Sequence, residues 1–131
     1  MISSPIRRKT KGPMPPIHDR SFQTLQTSRT NRLTLVISLD RPAAANALDT
    51  VMTRELLEIW QSLYVEPEST KAVILTGSGD QAFCAGADLK ERSGISTASW
   101  LRQHAVLEQM MLAMHSCPVP IIAAVNGAAY G

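Results

Sequence analysis

Two short runs hold the residues whose types and spacing could do chemistry. Phe83-Cys84-Ala85-Gly86-Ala87-Asp88-Leu89-Lys90-Glu91-Arg92 and Ala123-Ala124-Val125-Asn126-Gly127-Ala128-Ala129-Tyr130-Gly131 each follow a strand-like stretch and put small residues where main-chain amides must come close to a ligand. Asp88 and Glu91 have the D-x-x-E spacing of a capping-box variant, so a helical turn starting at Asp88 would aim its free amides at the Gly86-Ala87 corner. Such a corner suits a developing oxyanion, where each fixed donor is worth roughly 3 kcal/mol, or about 10²- to 10³-fold in rate. Backbone donors would also account for the lack of a nucleophile motif. The same spacing fits equally well a pair of plain turns around a strand end, Gly77-Ser78-Gly79-Asp80 and Cys84-Ala85-Gly86-Ala87.

Other side chains offer less. Cys84 has no evident base partner, and both Cys84 and Cys117 lie in apolar surroundings without a CxxC pair, which favours small core hydrophobes over reactive thiols. His104 and His115 have no ligand companions, so no metal site is expected. Gly77-Ser78-Gly79 is not followed by the Gly-Lys-Ser/Thr of a phosphate loop.

The elements that must position these runs can be read from hydrophobic periodicity. Phe22 to Ser28 and Leu33 to Leu39 predict a hairpin around Thr30-Asn31-Arg32, its second strand partly buried on both faces. Asp40-Arg41-Pro42 ends that strand, and a loop of small residues leads to Asp49, a good N-cap. Met52, Leu56, Ile59, Trp60 and Leu63 then repeat at helical spacing, so a helix is predicted over about 49–65. Ala72 to Thr76 predicts a buried strand entering the Gly77 turn. A second helix over about 98–115 would turn Leu107, Met110, Met111 and Met114 into the core, and Ile121 to Val125 predicts a third buried strand. The order β-β-α-β-α-β favours a layered α/β fold with parallel pairing.

Composition sets the frame. The chain has 131 residues, 44% hydrophobic and 18% charged, which is the length and make-up of about one globular domain. Its net charge of +2 comes largely from Arg7, Arg8, Lys9, Lys11 and Arg20 against Asp19, so residues 1–20 are expected to be a basic, proline-rich tail without fixed structure and 21–131 the folded part. Without interleaved aromatics the tail makes a poor nucleic-acid site. No stretch has the roughly 18 to 20 apolar residues of a membrane span. A soluble, cytoplasmic protein is expected. A mitochondrial address is the alternative, opposed by Pro5, Pro13, Pro15 and Pro16, which work against an amphipathic targeting helix.

The two runs together resemble the enoyl-CoA hydratase/isomerase (crotonase) superfamily. Leu39-Asp40-Arg41-Pro42, Asn46-Ala47-Leu48 and Ala72-Val73-Ile74-Leu75-Thr76-Gly77 match it in the same order, from about Ser21 to Gly131. The resemblance implies a crotonase-like spiral of ββα units, of which the chain would hold an incomplete N-terminal portion, and assembly as a homotrimer or hexamer. It implies an acyl-CoA thioester as ligand, with coenzyme A part of the substrate and no separate cofactor.

By the same resemblance Ala87 carries the first of two backbone donors that hold the thioester enolate, and Ala85, Ala87, Asp88, Leu89 and Lys90 line the acyl-CoA. The loop with Arg41, Ala45 and Ala47 is similar to the one along the CoA nucleotide. Lys90 is either drawn to CoA phosphates or solvated. Gly131 matches the first glycine of the family's Gly-Gly-Gly run, whose middle member supplies the second donor, with acid/base glutamates beyond it. The expectation is therefore a chain that is inactive alone, or a non-catalytic short form that binds acyl-CoA or joins full-length subunits. Phe83 to Arg92 is similar to the methylglutaconyl-CoA hydratase branch, which does not by itself assign a substrate.

Overall fold

The structure, a computed structural model, describes residues 12–131. Its larger sheet has four strands in the order β1-β2-β3-β5, built from Leu25–Asn31 (β1), Thr34–Leu39 (β2), Ala72–Gly77 (β3) and Ile121–Ala123 (β5). β1 and β2 form the predicted antiparallel hairpin, and β2, β3 and β5 run parallel. The hairpin turns where it does because Asn31 Oδ1 accepts the N–H groups of Leu33 and Thr34, at 2.8 and 3.0 Å. Along β2, Leu35, Ile37 and Leu39 point into the core and the residues between them are half-buried.

Helix α1 (Thr50–Val65) starts on Asp49, whose carboxylate accepts the Met52 N–H at 2.8 Å. Met52, Leu56, Ile59, Trp60 and Leu63 bury the predicted face against β2 and β3. Each such side chain contributes roughly 1.5–3 kcal/mol of transfer free energy, so α1 with the sheet forms the main core. Helix α3 (Thr97–His115) packs along α1. Of its expected core face only Met110 is fully buried, while Met111 stands 39% exposed beside an open cavity.

Two further elements were not legible from periodicity. Strand β4 (Ala82–Cys84) pairs in parallel with the two-residue β6 (Ala128–Ala129), and a single helical turn, α2 (Leu89–Arg92), follows β4. This small second sheet brings the two chemically suggestive runs together.

Two expectations need correction. The ordered part begins before Ser21: Ile17–Asp19 form a 3₁₀ turn, Ile17 is 1% exposed within the core, and Thr27 Oγ1 donates to its carbonyl. Arg20 extends the docking by donating to Glu58 and Ser62 of α1. One apolar side chain and one arginine outweigh the proline-rich composition around them. The basic residues Arg7, Arg8, Lys9 and Lys11 lie outside the described residues. The run Ile121 to Val125 forms a strand only over Ile121–Ala123 and is not buried, with Ile122 at 55% and Val125 at 58% exposure. It lies at the edge of the sheet, and no described layer covers its outer face.

Candidate active site

The Gly86–Asp88 segment runs between two others. On one edge Ala85 N–H donates to Ala45 O, Leu48 N–H to Gly86 O and Asp88 N–H to Leu48 O, at 2.8 to 3.0 Å. This is a one-residue parallel bridge between Leu48 and Ala87. In such a bridge the residue at the centre, Ala87, directs its own N–H to the opposite edge. No acceptor among the described residues takes that N–H. Across that edge Tyr130 N–H donates to Cys84 O at 2.9 Å.

Gly86 explains why the approach can be so close. Its φ is +83°, and a Cβ there would lie 3.2 Å from Tyr130 O and 3.5 Å from Gly131 Cα. Alanine at this position would suffer both strain and crowding. The two runs therefore converge on one corner, with the Ala87 amide unpaired beside the Tyr130–Gly131 backbone.

The caps are set by charge. Asp88 caps α2 through Oδ1, which accepts from Lys90 N and Glu91 N, while its Oδ2 takes Arg41 Nη2 at 3.1 Å. Burial alone would raise the Asp88 pKa; the Glu91 amide, the Arg41 guanidinium and the Lys90 amide outweigh it and hold the group below the usual carboxylate range. The predicted cap is thus confirmed, yet the capping box is not closed. Glu91 turns instead to α1 and accepts the Thr50 N–H with both oxygens.

Arg41 sits among acceptors. Besides Asp88 it reaches Ala47 O at 2.6 Å through Nη1 and Asp49 Oδ2 at 3.3 Å through Nε. Ala45 takes a left-handed conformation, φ 50°, beside a polar cavity of about 250 Å³, whereas the Ala47 side chain is buried. Leu89 and Lys90 stand exposed on α2, and the Lys90 ammonium has no partner among the described residues.

Two asparagines that sequence reasoning did not single out hold the corner. Asn46, fully buried at φ 55°, accepts Arg41 N–H through Oδ1 and donates through Nδ2 to Ser78 O and Ala82 O. Asn126 accepts Gly77 N–H and donates to Gly77 O and Gly79 O. The available signal was the asparagine in a small-residue loop and the Asn-Gly pair, since asparagine tolerates left-handed backbone and can bond main-chain groups.

Behind the corner lies an apolar cavity of about 270 Å³ between α1, α3 and the small sheet, lined by Leu48, Trp60, Phe83, Met111 and Met114 and reaching Tyr130 and Gly131. Cys84 borders it. Burial pushes the Cys84 thiol up, only partly offset by the Gly86 N–H on Sγ at 3.4 Å, so the sulfur stays protonated and a poor nucleophile. In the folded chain we expect iodoacetamide to modify Cys84 about tenfold or more slowly than Cys117, with the difference vanishing in denaturant; mass spectrometry of the two peptides reads this. Equal rates in the folded chain would contradict a buried, protonated Cys84. Among the described residues no group of three His, Cys, Asp or Glu side chains could hold a metal ion, and no helix is long and apolar enough to cross a membrane.

A layered α/β fold with a second small sheet thus brings two small-residue runs together around an unpaired backbone amide beside a glycine corner. The chain belongs to the enoyl-CoA hydratase/isomerase family, whose model matches residues 29–131. It is 43% identical over 96 residues to the Bacillus subtilis protein YngF, named for enoyl-CoA hydratase/isomerase, covering 73% of this chain and 36% of that one. It is 37% identical over 98 residues to the (E)-benzylidenesuccinyl-CoA hydratase of Thauera aromatica, covering 72% and 36%. Among solved structures, enoyl-CoA hydratase from Bacillus anthracis superimposes with a TM-score of 0.75 at 37% identity, over 80% of this chain and 40% of that one. The fold is thus α/β and crotonase-like, as the resemblance implied, and the chain spans about 36% of the length of these curated relatives.

Proposed function

We propose that this chain binds an acyl-CoA thioester and offers the Ala87 N–H as one of two backbone donors to the thioester oxygen, the device by which a hydratase or isomerase of this family would stabilise an enolate. The observation that carries the reading is the unpaired Ala87 amide held beside Gly131. Ala85, Leu89 and Lys90 would lie along the ligand, with Lys90 drawn to its phosphates. The loop at Ala45 and Ala47 would follow the CoA nucleotide, with coenzyme A part of the substrate and no further cofactor. Trimeric or hexameric assembly and a cytoplasmic setting complete the proposal.

The isolated 131-residue chain would bind but not turn over. The carboxylates around the corner are committed, Asp49 to Arg41 and the Met52 N–H, Asp88 to Arg41 and the α2 amides, and Glu91 to the Thr50 N–H, so none of the three is free to activate water. Crotonyl-CoA tests both parts. Calorimetry should show binding, while the absorbance of the conjugated double bond should stay constant. Robust turnover would overturn the inactivity, and absence of binding would overturn the acyl-CoA reading. A second reading rests on the exposed apolar edge at Ile122, Val125 and Tyr130: a non-catalytic chain that joins full-length subunits. Co-elution with a full-length relative in size-exclusion chromatography favours it, and separate elution counts against it.

A further inference from the structure

We propose that Arg41 is a positioning residue that clamps the Ala87 donor in place, not a contact to the CoA nucleotide. The inference rests on the acyl-CoA reading for its purpose, but the clamp itself is visible in the contacts. All three guanidinium nitrogens are engaged: Nε with Asp49, Nη1 with Ala47 O and Nη2 with Asp88. Asp49 caps α1 and Asp88 caps α2, so one cation joins two helix starts that lie 39 positions apart in sequence. Between those caps runs the bridge in which Leu48 holds Gly86 O and Asp88 N–H, and at whose centre Ala87 sits.

Charge argues against a phosphate at Arg41. Its single positive charge already faces two carboxylates, and a phosphate brought there would meet net negative charge. To reach a ligand the guanidinium would have to abandon a half-buried aspartate at a helix cap. The fork geometry also makes the position specific for arginine, because the single ammonium of lysine cannot serve three acceptors in fixed directions.

Two variants test this. Arg41→Lys keeps the charge and loses the fork; Asp88→Asn keeps an N-cap acceptor and loses the charge that Arg41 holds. In both, amide exchange at Leu48, Asp88, Lys90 and Glu91 should quicken by about ten- to a hundredfold, the range for a lost charge-assisted hydrogen bond. Exchange in β2 and at Ile59 to Leu63 should not move. A purely structural role would leave the donor's effect on ligand unchanged, so a second readout is needed. The infrared carbonyl band of bound ¹³C-labelled butyryl-CoA should sit closer to its free position in each variant than in the parent chain, with affinity for coenzyme A within about twofold.

Unchanged exchange would overturn the clamp. So would a tenfold loss of coenzyme A affinity in Arg41→Lys with exchange intact, since that is the signature of a nucleotide contact. If the parent chain shifts no carbonyl band at all, the acyl-CoA function fails, and the exchange measurement alone decides for or against the clamp.

Discussion

Asn46→Ala is expected to destabilise the folded chain by about 3–5 kcal/mol, read as a lower urea midpoint at unchanged m-value. The side chain is fully buried and makes three bonds to the main chain, to Arg41 N–H, Ser78 O and Ala82 O, at 2.9 to 3.0 Å. Each such bond is worth roughly 1 kcal/mol, and the bond to Ala82 O is buried, so losing it adds a desolvation cost. Backbone adds to the loss, because alanine at φ 55° meets a penalty of about 1 kcal/mol that asparagine largely escapes. Asn46→Gly relieves the backbone part only and should therefore be the milder change. Asn46→Asp retains the acceptor but sets a carboxylate against two carbonyl oxygens, and should be at least as harmful as alanine. An alanine variant within about 0.5 kcal/mol of the parent would show that the Arg41–Leu48 loop does not depend on this residue. Against a total stability of roughly 5–15 kcal/mol, a loss of this size is from about a fifth to all of what holds a domain folded.

How much of this was readable in the sequence depended on whether a signal was local. Helix α1 was legible because Asp49 and five apolar residues at helical spacing all act within one element. The Asp88 cap was legible for the same reason. Glu91 was not, since its partner is the Thr50 N–H at the head of another helix and only tertiary proximity selects it over Asp88. In the sequence Gly77 looks like part of a turn, yet a Cβ there would lie 2.6 Å from Phe83 O and 2.7 Å from Ala82 O, so the need for glycine is space between segments and not a special backbone angle. The apolar run at Ile121 to Val125 announced a strand correctly and its burial wrongly. Hydrophobicity states what a strand is suited to bury against, not what lies over it in a given chain. Ile17 shows the reverse case, a single apolar residue docked from within a stretch whose composition argued against order.

The sharpest functional prediction concerns one hydrogen atom at the centre of the corner. Exchanging the Ala87 amide for an ester, with lactate in place of alanine, removes the N–H and keeps the side chain and chain path. Cys84 lies three positions upstream, which makes Phe83–Cys84 a usable ligation junction for building the altered segment. In the form of the protein that turns over an enoyl-CoA, kcat should fall by about 10²- to 10³-fold, because the donor bonds most strongly to the charge that develops on the thioester oxygen. Ground-state affinity for the thioester should fall by no more than about tenfold, the worth of one neutral hydrogen bond. The ester also weakens Gly86 O as an acceptor for Leu48 N–H, a bond of 2.8 Å, so folding stability has to be measured beside the rate. A control ester at Asp88 separates the two effects: it removes the N–H that Leu48 O accepts at 3.0 Å, disturbing the same bridge while leaving the Ala87 donor in place. If both esters slow turnover alike, the Ala87 amide serves only the fold. If the Ala87 ester alone collapses kcat, its N–H is the donor that the corner exists to hold.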